Sequence, residues 1–265
     1  MNSKTMASSS DRKRGYTPPV NAEEQMFQRR IADLVSAVRR SGASRFTMFC
    51  NDREQELAQA ALASLSFDGY TWDGGYDGAQ RRMLCLAENG NFSAPLCCLE
   101  LEIQGPSAGE LTHRDYLGAI MGLRISRECI GDILCGPDGA QLVVTTAAAR
   151  VICDDLHEVG RCGVRVRPAD AISFCPQPPA AERTVTLASL RLDALIAAML
   201  HVSRSEASRL VVSGSVQINH VLKTSPGEAV YEEDVFSIRG YGKYKLTKVG
   251  ARSRKDRIFV TFEEY

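Results

Sequence analysis

"RLDALIAAMLHVSRSEASRLVVSGSVQINH", Arg191 to His220, decides how the C-terminal third of the chain folds. Leu192, Leu195, Ile196, Met199 and Leu200 stand at offsets 0, 3, 4, 7 and 8, the spacing of one buried helix stripe. Ser189 is read as the cap of that helix. Ser203-Arg-Ser-Glu206 is a capping box that opens a second helix. Ala207, Leu210 and Val211 form its buried side, and Gly214 stands where a left-handed cap is needed. Ser215–Asn219 then alternates as a strand. The stretch therefore predicts a compact helix–helix–strand unit.

Its chemistry lies in single arginines. Arg204 falls in the first turn of the second helix, where free backbone N–H groups and the helix dipole already favour an anion. An arginine there grips phosphate with a planar fork. Arg191 opens the first helix, and Arg209 lies off the apolar stripe. From Arg239 to Arg257 the chain has eight basic residues and one acidic, net +7. The formal net charge of zero conceals this basic stretch, which suits a polyanion. The alternative reading, solvated helix-surface arginines, is not separated from this one by spacing alone.

The chain's 265 residues predict two domains or three small ones, and 44% hydrophobic with 24% charged residues is ordinary globular composition. Nine cysteines, odd in number and without a CxxC, argue against a zinc site or a disulfide framework and for reduced cytosolic thiols. The four histidines, His113, His157, His201 and His220, have no metal-ligand spacing. No run approaches the roughly 18 apolar residues of a membrane span. The first 19 residues are Ser-rich and basic and lack the apolar core of a secretory signal. They are read as a disordered tail, with a short organelle-targeting peptide as the alternative.

Residues 20–82 read as a small α/β unit. It has a helix ended by Gly42, a strand "RFTMFCN" and a helix "DREQELAQAALAS", followed by a loop with four glycines that leads into Arg81-Arg82. Tyr70, Trp72 and Tyr76 in that loop either stack on nucleotides or anchor the loop by burial. Residues 83–172 read as β-α-β-β-α-β, the ferredoxin-like plan shared by RNA-recognition motifs and by many enzymes. Its strands are "LCCLELEIQ", "GDILC", "AQLVVTT" and "GVRVRPA"; its helices begin at Thr112–Asp115 and within "AAARVICDDLHEVG", the latter closed by Gly160. "LCCLELEIQ" and "AQLVVTT" lack the aromatics with which such sheets stack bases, so base reading is not assigned to them. Residues 173–183 form a Pro-rich linker before a C-terminal domain, 184–265. The fold class is α+β.

Arg191-Leu-Asp193, Ser203-Arg-Ser-Glu-Ala207, Leu210, Gly214, Val216 and Asn219 resemble the S4 RNA-binding domain over residues 184 to 245. "GGYDGAQRRMLCL", "HRDYLGAIMGL", "GDI" and "SIRGYGKYKL" extend the resemblance to the bacterial YlmH family of S4-domain proteins across nearly the whole chain. The resemblance implies a cytosolic, non-catalytic factor that binds the large ribosomal subunit carrying an obstructing peptidyl-tRNA, in ribosome-associated quality control. It implies RNA contacts at Arg191, Arg204, Ser205, Arg209, Asn219, Lys223, Arg239 and Lys243, with Arg81, Arg82, His113 and Arg114 as additional candidates. The implied partners are large-subunit ribosomal RNA, tRNA and the ribosome, without cofactor, metal or membrane. The chain departs from the family at His220, Glu233 and Arg124, each standing where glycine is common, and at Gln80-Arg81-Arg82, where Glu-Arg-Lys is common.

Two other classes compete with this reading. Arg-Leu-Asp also occurs at the catalytic aspartate of pseudouridine synthases, so an S4-targeted RNA-modifying enzyme is the second reading. Asp193, however, runs into Ala-Leu-Ile inside an amphipathic helix, where an acid complementing the dipole suffices. His113-Arg-Asp115 is similar to the kinase catalytic loop, yet no glycine-rich phosphate loop or DFG accompanies it. A cell-division interaction protein is the third reading.

Overall fold

The computed structural model describes residues 14–88, 92–104, 111–174 and 182–264. The chain divides into two compact units, residues 18–178 and residues 1–17 together with 179–265.

In the first unit, α1 (Ala22–Ser41) starts at Asn21, whose side chain accepts the Glu24 N–H at 2.8 Å, and α2 (Asp52–Ser64) starts at an Asn51/Glu54 capping box. Both pack on an antiparallel sheet of β1 (Arg45–Cys50), β2 (Tyr70–Asp73) and β3 (Arg82–Leu86) in the order β1-β3-β2. Ile31, Val35, Val38, Leu62, Leu84 and Leu86 fill the space between. Two expectations are corrected here. Tyr70–Asp73 is a strand rather than loop, and β3 is the central strand of this sheet, so a boundary at 82/83 would cut it from its partners.

The second sheet follows the ferredoxin-like order. β4 (Leu96–Gln104), α3 (His113–Gly122), β5 (Ile130–Gly136), β6 (Gly139–Thr145), α4 (Thr146–Asp155), β7 (Glu158–Val159) and β8 (Cys162–Ala169) form the array β5-β6-β4-β8-β7. The β5–β6 turn closes on the pair Gly136↔Gly139. Only glycine fits at 139, because a Cβ there would come within 1.9 Å of the Leu101 carbonyl oxygen. α4 ends at Asp155 rather than running on to Gly160, and Glu158–Val159 pair with Cys162–Gly163 instead.

The two sheets share a small core of Phe49, Met83 and Val143. Asp132 joins them through hydrogen bonds from the Tyr76 hydroxyl at 2.8 Å, the Gln80 N–H at 2.7 Å and the Arg81 N–H at 3.0 Å. They therefore form one unit rather than the two separate domains expected at 20–82 and 83–172.

In the other unit, β9 (Arg183–Leu187), α5 (Leu192–Leu200), α6 (Arg204–Val212), β10 (Val216–Ile218), β11 (Val221–Leu222), β12 (Val235–Ile238), β13 (Gly242–Arg252) and β14 (Ile258–Glu264) build an antiparallel sheet β11-β10-β12-β13-β14-β9 under two helices. The apolar stripe of α5 meets the alternating Phe236, Ile238, Tyr244, Leu246, Val260 and Phe262 of the sheet. Asn219 and His220 form the two-residue turn between β10 and β11 with φ of 49° and 65°, the primed geometry that matches strand twist. Glu233 and Arg124 also hold positive φ, 72° and 63°. All three departures from family glycines thus fall where the backbone favours glycine.

The expected linker 173–183 is partly absorbed. Ser173 and Phe174 donate their N–H groups to Gln141, Arg183 pairs in the sheet with Phe262, and residues 175–181 lie outside the described residues. Of the tail 1–19, residues 1–13 also lie outside the described residues. Arg14 does not belong to a disordered tail, since it is bound to the C-terminal unit.

Asp132→Ala removes one acceptor from three donors that tie the two sheets together. It should destabilise the unit 18–178 by about 2–4 kcal/mol, read as a lower urea midpoint by circular dichroism. An unchanged midpoint would show that Asp132 does not join the sheets.

Candidate nucleic-acid interface

α5 begins without a side-chain cap: Arg191, not Ser189, is its N-cap residue. Its first free N–H groups are met by backbone, Leu192 N–H donating to the Glu228 carbonyl at 2.9 Å and Asp193 N–H to that of Pro226 at 3.0 Å. The loop before β12 thus replaces the expected serine.

This start points Asp193 toward α6. Its carboxylate receives Nε and Nη2 of Arg191, both at 3.1 Å, and Nε and Nη2 of Arg204 at 3.0 and 3.3 Å. The Ala194 N–H adds a fifth donor at 2.9 Å. Asp193 is buried, its side chain 6% exposed, whereas those of Arg191 and Arg204 are 43% and 56% exposed. Exposed ion pairs contribute about 0–1 kcal/mol each. Burying a leucine or isoleucine contributes about 1.5–3 kcal/mol, and Leu192, Leu195 and Ile196 are all at 0% exposure. The helices are therefore held by their stripe, and the effect of Asp193 is to fix two guanidinium planes. Each arginine keeps N–H donors on its edge away from Asp193. Arg191 also lies flat against Gly227, where a Cβ would stand 3.2 Å from Nη1.

Burial pushes the Asp193 carboxyl up, and the hydrogen bonds from the two arginines more than reverse this, holding it below the ordinary carboxylate range. A carboxyl held low supports the folded arrangement above its unfolded value and loses that support only as pH falls through the lower folded one.

The other candidates fall into three groups. Ser205 and Arg209 are exposed on α6, Ser205 sharing a hydrogen bond with the Ser203 hydroxyl at 2.9 Å. Arg239 and Lys243 are exposed at the β12–β13 hairpin, Lys243 opposite Ser237. Asn219 and Lys223 are engaged within the fold. The Asn219 Nδ2 donates to Asp234 at 2.9 Å, its Oδ1 accepts the Val235 N–H at 2.8 Å, and Lys223 pairs with Glu228 at 3.0 Å.

Arg81 and Arg82 are part-buried and engaged within the fold. The Arg81 guanidinium donates to the carbonyls of Ile130 at 3.0 Å and Phe49 at 3.1 Å. Arg82 donates to the Gln55 side chain and lies 5.7 Å from the Trp72 ring centroid. Trp72 and Tyr70 pack against the core between α1, α2 and the small sheet, the anchoring alternative for that loop. His113 and Arg114 are exposed at the start of α3, where the Asp115 carboxylate accepts the Thr112 hydroxyl at 2.6 Å and N–H at 2.8 Å.

Sequence reasoning missed Asp193 as the shared acceptor and missed Arg14 altogether. The first had a signal, an acid in a helix's first turn; the second, 220 residues from its partner Asp234, had none. Among the described residues no cluster of three or more His, Cys, Asp or Glu is arranged to hold a metal. Among them, too, no helix is long and apolar enough to cross a membrane.

An arginine pair set on a helix–helix–sheet unit, in a chain that also carries a ferredoxin-like sheet, defines an α+β protein of S4-domain class. Residues 98–172 match the family model "Putative RNA-binding domain in YlmH", and residues 190–236 match the S4 domain. The chain is 30% identical over 248 residues to "Ribosome-associated protein quality control protein P2" of Bacillus subtilis (strain 168), covering 91% of this chain and 95% of that protein. The chain belongs to the YlmH family of S4-domain proteins. A solved structure, the cell division protein ylmH from Streptococcus pneumoniae, is similar with a TM-score of 0.50 at 18% identity, over 58% of this chain and 96% of that one. That likeness shows a shared fold.

Arginine Nε–H resonances of Arg191 and Arg204 should be dispersed at neutral pH and remain so down to about pH 4, the ordinary carboxylate range, collapsing only in stronger acid. In Asp193→Ala they should collapse at every pH. Collapse of the wild-type signals well above pH 4 in a folded chain would contradict the depressed carboxyl.

Proposed function

We propose that this protein is a non-catalytic RNA-binding factor that binds the large ribosomal subunit and tRNA, acting in ribosome-associated quality control on stalled peptidyl-tRNA complexes. The observation that carries the reading is the arginine pair aligned on Asp193, with donors free on its outer edge, on a helix pair that also exposes Arg209. Two fixed guanidiniums grip phosphates of a folded RNA, and Arg239 and Lys243 extend the contact along the sheet. Phosphate contacts supply affinity without reading sequence, so selection of one ribosomal state falls to a larger surface, including His113 and Arg114 of the unit 18–178. The name of the Bacillus subtilis relative supports the ribosomal setting, and with it a cytoplasmic location. The five donors on Asp193 favour a structural anion over the acid of a modifying enzyme.

The test is the full chain against Arg204→Ala/Arg209→Ala, titrated with ribosomal RNA across a salt series. The fold should survive, because both residues lie off the apolar stripe. Affinity should fall, and the log–log salt slope should become shallower by roughly 0.7–0.9 for each phosphate that the variant no longer neutralises. Unchanged affinity and slope would refute the reading.

A further inference from the structure

The C-terminal unit holds a second arginine site, distinct from the clamp that Arg191 and Arg204 form on Asp193. The Asp234 carboxylate, its side chain 1% exposed, receives the Arg14 fork, Nε on Oδ1 at 2.9 Å and Nη2 on Oδ2 at 3.0 Å. The same Nη2 donates to the Ala229 carbonyl at 2.7 Å, and Nη1 reaches Glu228 at 3.4 Å. The guanidinium lies 4.9 Å from the Tyr231 ring centroid. Fork, carbonyl and ring together match an arginine side chain and not a lysine. Asp234 has two further donors, the Asn219 side chain and the Tyr231 N–H, both at 2.9 Å and both neutral. A buried carboxylate requires a counter-charge, and among the described residues Arg14 is the cation paired with Asp234.

The loop that receives Arg14 is also the loop that starts α5. Glu228 and Pro226 accept the Leu192 and Asp193 N–H groups, and the Val230 N–H donates to Leu190 at 3.2 Å. Gly227 supports the face of Arg191. Arg14 binds that same run of backbone through Ala229 and through Glu228.

We infer that Asp234, Glu228, the Ala229 carbonyl and Tyr231 form an arginine-binding pocket whose ligand is Arg14 of this chain, and that its occupancy holds residues 225–234 in the shape that presents Arg191 to RNA. Arg14 is thus a positioning residue for the clamp. With its side chain 16% exposed and its donors turned to Asp234, it makes no phosphate contact of its own. The second half of the inference rests on the RNA-binding reading; the pocket itself does not.

The experiment compares full-length wild type, Arg14→Ala, Arg14→Lys and Arg204→Ala. Without RNA, hydrogen exchange should accelerate across 225–234 and at Leu192 and Asp193 in Arg14→Ala. A peptide of residues 10–19 at about millimolar concentration should restore protection, whereas the same peptide with alanine at position 14 should not. Arg14→Lys keeps the charge but removes the fork, and should protect less than wild type. With ribosomal RNA, Arg14→Ala should lower affinity roughly 2- to 30-fold at an unchanged salt slope, while Arg204→Ala makes the slope shallower. Unchanged exchange in Arg14→Ala would overturn the pocket. A salt slope shallower to the same degree as in Arg204→Ala would make Arg14 a direct phosphate ligand and overturn the positioning role. If wild type itself binds no RNA, the functional reading fails while the exchange result still decides the pocket.

Discussion

One buried carboxylate sets the arrangement on which the candidate interface depends. Asp193 stands in the first turn of α5 and takes a fork from each of two arginines, one preceding it by two residues and one leading the next helix. Free arginines on a surface sample many rotamers, and ordering such a side chain costs up to about 2 kcal/mol. Arg191 and Arg204 bear that cost on folding rather than on binding. The arrangement is preorganised, which is where binding of a folded polyanion gains affinity. Asp193 in turn depends on the loop 225–230, whose carbonyls satisfy the N–H groups of its own helix end.

Most of the basic stretch counted in the sequence lies at the surface, although some of its cations already have partners. Within the stretch Arg239–Arg257, Lys245 pairs with Glu233 at 2.8 Å and Arg252 with Asp256 at 2.9 Å, while Arg257 donates to Thr186. Lys223 is held by Glu228, and Arg14 by Asp234. Acids of the C-terminal unit therefore engage some of its cations, while most of the basic stretch stays exposed. Arg191 is part-exposed, and Arg204, Arg209, Arg239, Lys243, Lys248, Arg252, Arg254, Lys255 and Arg257 are exposed.

The elements that repeat a period are legible in the sequence. The 3.6-residue stripe of α5, the capping residue Ser203, and the alternation in β4 and β8 mark helices, strands and their order. Short elements are not: β2 is four residues beside a run of glycines and aromatics, and its strand character comes from pairing with β3. Arg81 and Arg82 look like surface cations in sequence. For Arg81, nothing local marks a cation whose acceptors are backbone carbonyls 32 to 49 residues away. Asn219 looks like an RNA contact, but its amide serves the hairpin by bridging Asp234 and Val235. At Arg191 and Arg204 the residue types are visible, and only the shared acceptor requires three dimensions.

The most direct test of the central claim is ultraviolet crosslinking of the full-length protein to ribosomal RNA, with nucleotide adducts mapped by mass spectrometry. The account predicts adducts in peptides spanning 188–214 and 239–248, around the arginine pair and the β12–β13 hairpin. Adducts confined to residues 18–178, with none on α5, α6 or that hairpin, would contradict it.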